Sequence, residues 1–473
     1  MPAVIKHLVV LMLENRSFDH MLGFMKSPGY AIDGLDGTQL NRDSTGEPVR
    51  ANEEAQYSGD LPADPSHDFE DVMQQMFGTQ TPAAGQQPDM SGFVQNYERF
   101  TGSPVKAHSI MNCFAPANLP VLATLARSYA VCDRWYSAVP GPTLPNRVYA
   151  HAGTSRGRLD LSPDFLGGFH TVYEVLFNNG VSSTIFYEDW TAALSFEGLL
   201  LHNQAQYFAE YARFPELVKQ NKLPSYCFIE PRYNPQDSNG VSLPANDQHP
   251  PDHDIAEGEQ LIRTVYTDLR RNDDVWKSSI LAVIYDEHGG LYDHALPPPC
   301  VSPDDISCPS PPFDFTRLGP RVPAVIISPY VQPGQIDHAN TYDHTSLIAT
   351  AMKLFVPQAW PSTVLGKRAQ AAKTFDTILD LSMTPRMEIP NFANPPAQPA
   401  GVGDISAAAA PLSKLQQESI AHAAVLNQHL PPQLKVRQDP STIQDERAAG
   451  QFLTNVAASL QKLGSGVRTD GQK

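Results

Sequence analysis

The sequence predicts an α/β fold with a mostly parallel central sheet flanked by helices. Two uninterrupted apolar runs, at residues 8–13 and 280–284, have the length and composition of buried parallel strands and lack the periodicity of an amphipathic helix. Both runs end in acidic residues, Glu14 after the first and Asp286 after the second. Because ligands bind beyond the carboxyl ends of the strands in open α/β sheets, the two ends predict one shared cation site.

The remaining elements of the predicted fold alternate between short strands and helices. Strands are expected at 183–187, 226–229 and 322–327, and the first two run directly into the acidic residues Glu188 and Glu230. Helices are expected at 119–129, 255–271 and 345–355, and in the second of these the apolar residues recur near helical spacing. This alternation is the pattern of an α/β protein.

The chain divides by composition into two predicted parts. Residues 1–390 are expected to form the α/β catalytic domain, and the chain is long enough for one large domain plus an extension. Residues 391–473 are expected to form a linker and a helical C-terminal extension. Residues 390–411 are rich in Pro, Ala and Gly, 412–463 have a helical pattern, and 464–473 are expected to be a disordered tail.

Charge and hydropathy restrict the partners of the chain. The formal net charge is −17, from 34 Lys and Arg against 51 Asp and Glu, which argues against a nucleic-acid partner and against electrostatic capture by an anionic membrane. An anionic substrate would then need a local positive centre, for which a bound metal is the simplest. No apolar run reaches the roughly 20 residues of a transmembrane helix. The first residues show no secretory signal, so the expected location is the cytoplasm, or the exterior by a signal-independent route.

Five cysteines are too few and odd in number for a disulfide framework. Cys300 and Cys308 lie in one Pro-rich loop and could close it with a disulfide. Two free thiols are the slightly favoured alternative.

The first candidate ligands follow the first predicted strand. Glu14 and Asn15 would be costly at the end of a buried strand unless their polar atoms were satisfied. The alternative is that Asn15 or Ser17 caps a helix. Because Asp286 and Glu287 follow the second predicted strand, the sequence favours a metal site built by all four.

The segment 140–147, Pro-Gly-Pro-Thr-Leu-Pro-Asn-Arg, predicts a helix that begins at Thr143. A hydroxyl at that position, next to a metal, can ionise and attack phosphorus. The alternative is that Thr143 only caps the helix. Arg147 is expected either to bind phosphate or to pair with an acid.

Histidines near acidic or loop residues are the candidates for stabilising charge and donating a proton in phosphoryl transfer. These are His67, His249, His253 and His294. For each one the alternative is an ordinary surface histidine. Weaker candidates are His20, His288, His338 and His344.

The expected cofactor is a divalent metal ion. Oxygen ligands from Glu14, Asn15, Thr143, Asp286 and Glu287 favour Ca²⁺, Mg²⁺ or Mn²⁺. Histidine ligands would shift the preference towards Zn²⁺ or Fe²⁺, and the sequence leaves both sets open.

With these motifs the chain resembles the phosphoesterase family that joins non-specific phospholipases C with an acid phosphatase branch, within the alkaline-phosphatase-like superfamily. The resemblance extends over about residues 5–360, in order. It is carried by E-N-R-S-F-D-H at 14–20, D-P-S-H at 64–67, P-T-L-P-N-R at 142–147, D-E-H-G-G-L-Y-D-H at 286–294, and the short matches at 317–323 and 328–330.

The resemblance implies an alkaline-phosphatase-like fold and a two-step hydrolysis of a phosphoester. It implies metal ligation by Glu14, Asn15, Asp286 and Glu287, with Thr143 as nucleophile and metal contact. It also implies that further residues line the phosphate pocket or contact the substrate: His67, His249, His253, His294, Asn146, Arg147 and Asp293. A histidine, His294 or His249, would protonate the leaving group.

The expected activity is that of a phospholipase C acting on glycerophospholipids, with contact to the membrane surface, and the alternative is an acid phosphatase that uses the same site. The partner would be a phospholipid or a small phosphoester. Loops 31–87 and 297–315 are expected to set this choice.

Overall fold

An eight-stranded sheet forms the centre of the protein in a computed structural model, which describes residues 4–57, 59–160, 167–201, 207–238, 241–251, 253–360, 364–393 and 412–466. The strands of the described ranges, in chain order, are β1 (His7–Leu13), β2 (Leu40–Arg42), β3 (Pro48–Arg50), β4 (Ala130–Cys132), β5 (Ser183–Tyr187), β6 (Phe208–Glu210), β7 (Tyr226–Ile229), β8 (Gln236–Ser238), β9 (Val241–Leu243), β10 (Ser279–Tyr285), β11 (Cys308–Pro309), β12 (Pro312–Phe313), β13 (Ala324–Ile327) and β14 (Gln335–Asp337).

The helices in the same ranges are α1 (Phe18–Leu22), α2 (Phe69–Phe77), α3 (Phe93–Thr101), α4 (Pro104–Ala107), α5 (Leu122–Ser128), α6 (Thr143–Ala152), α7 (Val172–Asn178), α8 (Glu197–Leu201), α9 (Arg213–Lys219), α10 (Ile255–Leu269), α11 (Asp273–Trp276), α12 (Thr345–Phe355), α13 (Gly366–Ala371), α14 (Lys414–His429) and α15 (Glu446–Gly466). None of them is long and apolar enough to cross a membrane.

The strand order of the sheet is β14-β4-β13-β10-β1-β7-β5-β6. The strands from β10 to β6 run parallel, whereas β13 is antiparallel to both of its neighbours. In the register of the sheet Leu13 pairs with Tyr285, and Leu11 pairs with Ile229. The residues that follow these three adjacent strands therefore emerge side by side at one edge of the sheet.

Burial explains why β1 and β10 read as uninterrupted apolar runs. All seven residues of each strand are buried, because helices cover both faces of the sheet. The predicted fold class, a mostly parallel sheet flanked by helices with further helices at the C-terminus, is confirmed.

The individual elements differ from their predicted bounds mainly at the ends. The strands at 183–187 and 226–229 and the helix at 345–355 have the predicted bounds. The third predicted strand begins two residues late, at Ala324, and the predicted helices at 119–129 and 255–271 are the shorter α5 and α10. All five cysteines are free, so the preference for free thiols at Cys300 and Cys308 is confirmed.

The C-terminal helices α14 and α15 share the hydrophobic core of the sheet. Ala423, Phe452 and Val456 are fully buried in that core. Gly450 lies so close to the chain before β8 that a Cβ atom there would be 2.7 Å from the Cβ of Asn234. The extension therefore packs tightly against the α/β domain. The boundary at residue 390 stays a prediction.

The predicted disordered tail was wrong at its start, because α15 includes residues 464–466. Adding residues to an established helix costs little, whereas starting one is unfavourable, so a helix held by buried Val456 and Leu460 can extend past its last core contact. Residues 394–411, most of the predicted linker, and residues 467–473 lie outside the described residues.

Candidate active site

Carboxylates follow three adjacent parallel strands at one edge of the sheet. Asp286 follows β10, Glu14 follows β1 and Glu230 follows β7, and each is at most 1% exposed. The backbone N–H of Asp286 donates to the carbonyl of Leu13 at 3.2 Å, which ties the first two strand ends together. The sequence predicted the meeting of Glu14 with Asp286, and the sheet register provides it.

Two glycines let the loop after Glu287 cross the other segments of the site. Gly289 has a φ of +64°, and a Cβ atom there would lie 2.2 Å from the carbonyl oxygen of Asn15. Gly290 has a φ of +68°, and a Cβ atom there would lie 2.7 Å from the carbonyl oxygen of Ser66. Both positions combine the left-handed region with close backbone approach, which only glycine tolerates well. Asn15 and the segment before His67 are thereby brought to the end of β10.

Thr143 is the first residue of α6, as predicted, and it does not cap the helix. The cap is Pro142, which has no side-chain hydrogen bond, and the hydroxyl oxygen of Thr143 is buried with no hydrogen bond to the described residues. Asn146 shapes the preceding turn, because its Oδ1 accepts from the N–H of Val139 at 3.0 Å and its Nδ2 donates to the carbonyl of Gly141 at 2.9 Å. The side chain of Asn146 therefore holds the turn that presents Thr143.

Arg147 lies one turn after Thr143 and spans the three strand ends. Its Nε donates to Asp286 at 3.0 Å, its Nη1 donates to Glu230 at 2.5 Å, and its Nη2 lies 3.6 Å from a Glu14 oxygen. Of the two predicted roles, the structure shows pairing with acids. These contacts also place the first turn of α6, and with it Thr143, at the strand ends.

Three of the four predicted histidines line the same region. The Nε2 of His67 lies 4.0 Å from Glu287, and its ring centroid lies 6.1 Å from that of His249. The rings of His249 and His253 are 6.0 Å apart, and the Nδ1 of His253 lies 2.5 Å from Asp247. His253 also contacts the C-terminal extension, with its Nε2 3.4 Å from the carboxylate of Glu446 in α15.

The carboxylates at the strand ends differ in charge because their neighbours differ. Burial, followed by the charges of Asp247 and Asp286, raises the pKa of Glu14 well above its ordinary value. Burial also raises the pKa of Asp286 to about 7, although Arg147 opposes this shift. Burial acts in the same direction on Glu287, but the charges of His67 and His288 and the hydrogen bonds from His288 and Gly289 together outweigh it and lower the pKa of this carboxyl. An additional positive charge would therefore be strongly favoured here.

Several buried acceptors at the strand ends make no hydrogen bond to any described residue. They belong to a set that we call the strand-end cluster, defined as Glu14, Asn15, Asp247, Asp286 and Glu287. The atoms are Glu14 Oε2, Asn15 Oδ1, Asp247 Oδ2 and Glu287 Oε1. Unsatisfied buried oxygens are costly, and a cation satisfies them without a hydrogen-bond donor. The donor set is rich in hard oxygen atoms and so fits a divalent metal ion.

A second group of acids and bases, the Arg321 cluster, consists of Asp19, Asp33, Asp293, His294 and Arg321. Asp19, Asp293 and His294 are close enough together to hold a cation. Arg321 already takes that place, because its Nη2 donates to Asp19 and its Nε donates to Asp293, both at 2.9 Å. Although burial opposes it, hydrogen bonding to Asp19 and Asp33 raises the pKa of His294 to about 10.

The predicted residues His294 and Asp293 thus lie in the Arg321 cluster. The described contacts of the His294 ring go to Asp19, Asp33 and Arg321, not to the strand-end cluster. The catalytic role of His294 and the substrate-binding roles of Asn146, Arg147 and Asp293 stay predictions.

The weaker histidine candidates all have structural partners. His20 Nδ1 lies 3.0 Å from the carbonyl of Asn112, and His288 Nε2 lies 2.7 Å from Gln75. His338 pairs with Asp133, and His344 contacts the backbone carbonyl of Asp286. The helix-cap alternative is correct for Ser17, which accepts from the N–H of His20, but not for Asn15.

The sequence prediction missed three acids of this region. Asp247 follows no long strand, and its only signal is the polar run Asn-Asp-Gln-His at 246–249. Glu230 directly follows a predicted strand, but its position in the sequence indicates no particular role. Glu446 lies almost 200 positions after His253, and no local pattern connects the two.

Comparison with known proteins gives a consistent picture. A model of the Phosphoesterase family matches residues 5–356. Non-specific phospholipase C3 of Arabidopsis thaliana is 37% identical over 82% of this chain and 75% of that protein. Non-specific phospholipase C6 of the same plant is 36% identical, over 89% and 81% respectively. Phospholipase C A of Mycobacterium tuberculosis (strain ATCC 25618 / H37Rv) is 27% identical, over 83% and 80%.

A solved structure of a protein in the alkaline phosphatase superfamily from Vibrio parahaemolyticus aligns with 75% of this chain and 68% of that chain, at 12% identity and a TM-score of 0.34. A likeness this low supports no further argument. The family model and the plant relatives extend over most of the chain, and the matched residues 5–356 include all three strand ends described above. This chain belongs to the Phosphoesterase family.

Proposed function

We propose that the protein is a metal-dependent phospholipase C that cleaves glycerophospholipids to diacylglycerol and a phosphorylated head group. The observation that carries the proposal is a buried Thr143 hydroxyl without a hydrogen bond to a described residue, one helical turn before Arg147, which donates to Asp286. Buried oxygens of Glu14, Asn15 and Glu287 at the strand ends also make no hydrogen bond to a described residue. Such a set of oxygen atoms is suited to bind a cation, and a hydroxyl next to a bound cation can act as a nucleophile. The names of the relatives, non-specific phospholipases C, support the substrate class.

The residues that would hold the metal are Glu14, Asn15, Asp286 and Glu287, together with the hydroxyl oxygen of Thr143. When bound, the metal would lower the pKa of that hydroxyl and neutralise charge on the phosphate oxygens. The oxygen-rich donor set favours Ca²⁺, Mg²⁺ or Mn²⁺. The neighbouring His67 and His249 keep Zn²⁺ and Fe²⁺ as alternatives.

In the first step the oxygen of Thr143, already ionised with its proton released to solvent, forms a bond to phosphorus, and the bond from phosphorus to the glycerol oxygen breaks. The product is a phospho-threonine that carries the head group. Diacylglycerol leaves once its oxygen has received a proton. His249 is our choice of proton donor, because it lies beside His67 and contributes to the charge environment of Glu14.

In the second step water attacks phosphorus, and the bond to the Thr143 oxygen breaks. His249 takes the proton from that water and is ready to donate again, and the ionised oxygen of Thr143 is regenerated. His67 would stabilise negative charge on the phosphate. Burial disfavours its protonated form, but the carboxylates of Glu287 and Asp64 outweigh this effect and raise its pKa.

The alternative within the family is an acid phosphatase that uses the same residues on a monoester. The names of the relatives favour the diester reaction. Contact with the membrane surface would then be needed for access to lipid. Because the net charge is −17, we propose that this contact is made through apolar side chains rather than by charge.

The test is a parallel assay of phosphatidylcholine micelles and p-nitrophenyl phosphate, before and after chelation. We expect diacylglycerol release to exceed monoester turnover, to stop on chelation and to return with one added divalent ion. Monoester turnover above lipid turnover would assign the chain to the phosphatase reaction. Activity that survives complete chelation would remove the metal from the proposal.

Thr143→Ala tests the nucleophile in the same assay. We expect at least a 10³-fold loss of kcat, with metal binding largely retained through Glu14, Asn15, Asp286 and Glu287. Thr171→Ala is the matched control, because this buried threonine caps α7 and the change should lower stability by about 1 kcal/mol while leaving kcat unchanged. Near-normal turnover by the Thr143 variant would exclude Thr143 as nucleophile.

A further inference from the structure

Glu230 is a buried acid of the site for which the proposed reaction has no use. It follows β7, the strand next to β1, and it is fully buried. Its Oε2 accepts from Arg147 at 2.5 Å and from the hydroxyl of Tyr233 at 2.6 Å, and its Oε1 accepts from Thr191 at 2.8 Å. Both oxygens are therefore hydrogen-bonded, unlike Oε2 of Glu14.

Arg147 connects Glu230 to the two carboxylates that would hold the metal. Its guanidinium reaches Asp286 and Glu14, and its Nη2 donates to the carbonyls of Met12 and Leu13 at 3.3 Å. The ring of Tyr233 lies 5.2 Å from the same guanidinium. One cation is thus shared among three acids that follow three adjacent strands, and its attraction to each acid depends on the other two.

We infer that Glu230 is a positioning residue that acts through Arg147 and sets how strongly this arginine competes with a metal ion for Asp286 and Glu14. The carboxylate of Glu230 offsets part of the positive charge of Arg147, so Arg147 attracts Asp286 and Glu14 less strongly than it otherwise would. The arginine can then hold Asp286 in place without blocking a second cation. This inference rests on the proposed metal dependence.

Two substitutions test the inference because they change in opposite directions how strongly Arg147 pairs with Asp286 and Glu14. Glu230→Gln removes the opposing charge, so Arg147 pairs more strongly with Asp286 and Glu14. We expect Mn²⁺ to bind roughly tenfold more weakly. Tyr233→Phe removes one of the two donors to Glu230 Oε2 and keeps the ring over Arg147. The carboxylate then attracts Arg147 more strongly and releases Asp286, and we expect Mn²⁺ to bind about threefold more tightly.

The measurement is the dissociation constant of Mn²⁺ alone, by titration calorimetry of the metal-free full chain, with the melting temperature recorded in parallel. Glu259→Gln is the matched control. This buried glutamate accepts from the backbone N–H groups of Val121 and Leu122 at 2.6 and 3.0 Å, so the change should lower stability and leave Mn²⁺ binding within twofold.

Opposite shifts in the two variants would support the inference, because a purely structural role would weaken binding in both. Unchanged or weaker binding in Tyr233→Phe overturns it, even where Glu230→Gln does not fold. Unchanged binding in Glu230→Gln overturns it equally. A parent chain that binds no Mn²⁺, Ca²⁺, Mg²⁺ or Zn²⁺ would instead contradict the proposed function.

Discussion

The strand-end cluster and the Arg321 cluster have similar compositions, but they differ in how many of their buried oxygen atoms are hydrogen-bonded. Both lie beyond β1 and β10, and both contain buried aspartates next to an arginine. In the Arg321 cluster the guanidinium bonds Asp19 and Asp293 directly, and His294 supplies a second positive charge. In the strand-end cluster several acceptors make no hydrogen bond to a described residue, and the cationic groups of Arg147 and His67 lie 3.6 Å from Glu14 and 4.0 Å from Glu287.

The difference teaches that proximity of acids alone does not identify a metal site. The tightest described group of acids and histidine is the one that already contains its own cation. The acids of the strand-end cluster are less closely grouped, but several of their oxygen atoms make no hydrogen bond to a described residue. A buried charge without a partner is costly, so an unmet requirement for positive charge is the more informative sign of a ligand.

The largest expected effect separates the two clusters by function. Asp286→Asn should abolish Mn²⁺ binding and reduce phosphodiester turnover at least 10³-fold, because it removes a charged oxygen donor. Asp293→Asn, the matched change in the other cluster, should retain Mn²⁺ binding within a few-fold while lowering the melting temperature. Calorimetric titration and thermal melting of both variants measure this. Normal metal binding by the Asp286 variant would reverse the assignment.

Removal of the positive charge of Arg321 should leave the carboxylates of its cluster without their cationic partner. Arg321→Met leaves Asp19 and Asp293 buried without their partner, and we expect a loss of about 3–5 kcal/mol in the free energy of unfolding. Urea denaturation at pH 7 measures this loss. Recovery of the lost stability on raising Mn²⁺ concentration would show that the vacated position accepts a metal. Unchanged stability would contradict the role given to Arg321.

The two clusters should also respond differently to pH. In the absence of metal the pKa of Asp286 is raised to about 7 by burial, and burial also raises that of Glu14 well above its ordinary value. A metal ion must displace these protons at lower pH, so Mn²⁺ should bind at least about tenfold more weakly at pH 6 than at pH 8. Affinity that does not change over this range would contradict protonation of the strand-end carboxylates.

The smallest expected effect concerns His294 and the alkaline limit of stability. Its pKa is raised from 6.5 to about 10, so the folded state holds this proton more tightly than the unfolded chain. The stabilisation is complete below about pH 6.5 and is lost as the pH rises through 10. The melting temperature of the parent should therefore fall more steeply between pH 7 and pH 10 than that of His294→Gln. If the melting temperatures of the two proteins fall in parallel with pH, His294 is not the source of the stability lost at alkaline pH.

Local patterns in the sequence predicted the strands and the ligands that directly follow them. The apolar runs gave β1 and β10, and the Pro-rich segment gave the helix that begins at Thr143. Patterns of this kind are short-range, whereas the register that aligns Leu13 with Tyr285 depends on residues far apart in the chain. For the same reason the sequence could name Arg147 but could not show that it spans three strand ends.

The residues that local patterns missed are those held by tertiary contacts. Asp247 reaches the site because its carbonyl accepts the N–H of Glu14 at 3.0 Å, and nothing near position 247 indicates this. The motif that contains Glu287 also contains Asp293 and His294. Their hydrogen bonds show that this continuous motif contributes to both clusters, which its sequence alone does not indicate.

The strand order has a consequence for synthesis of the chain. The central strand β1 leaves the ribosome long before its two neighbours, because β7 and β10 begin only at Tyr226 and Ser279. At typical translation rates of about 5–20 residues per second, the apolar segment His7–Leu13 waits on the order of 10 to 50 s for its first partner. During that interval it is an unpaired, uncharged strand able to associate with other nascent chains. Production of this protein should therefore depend on chaperones that bind the β1 segment early.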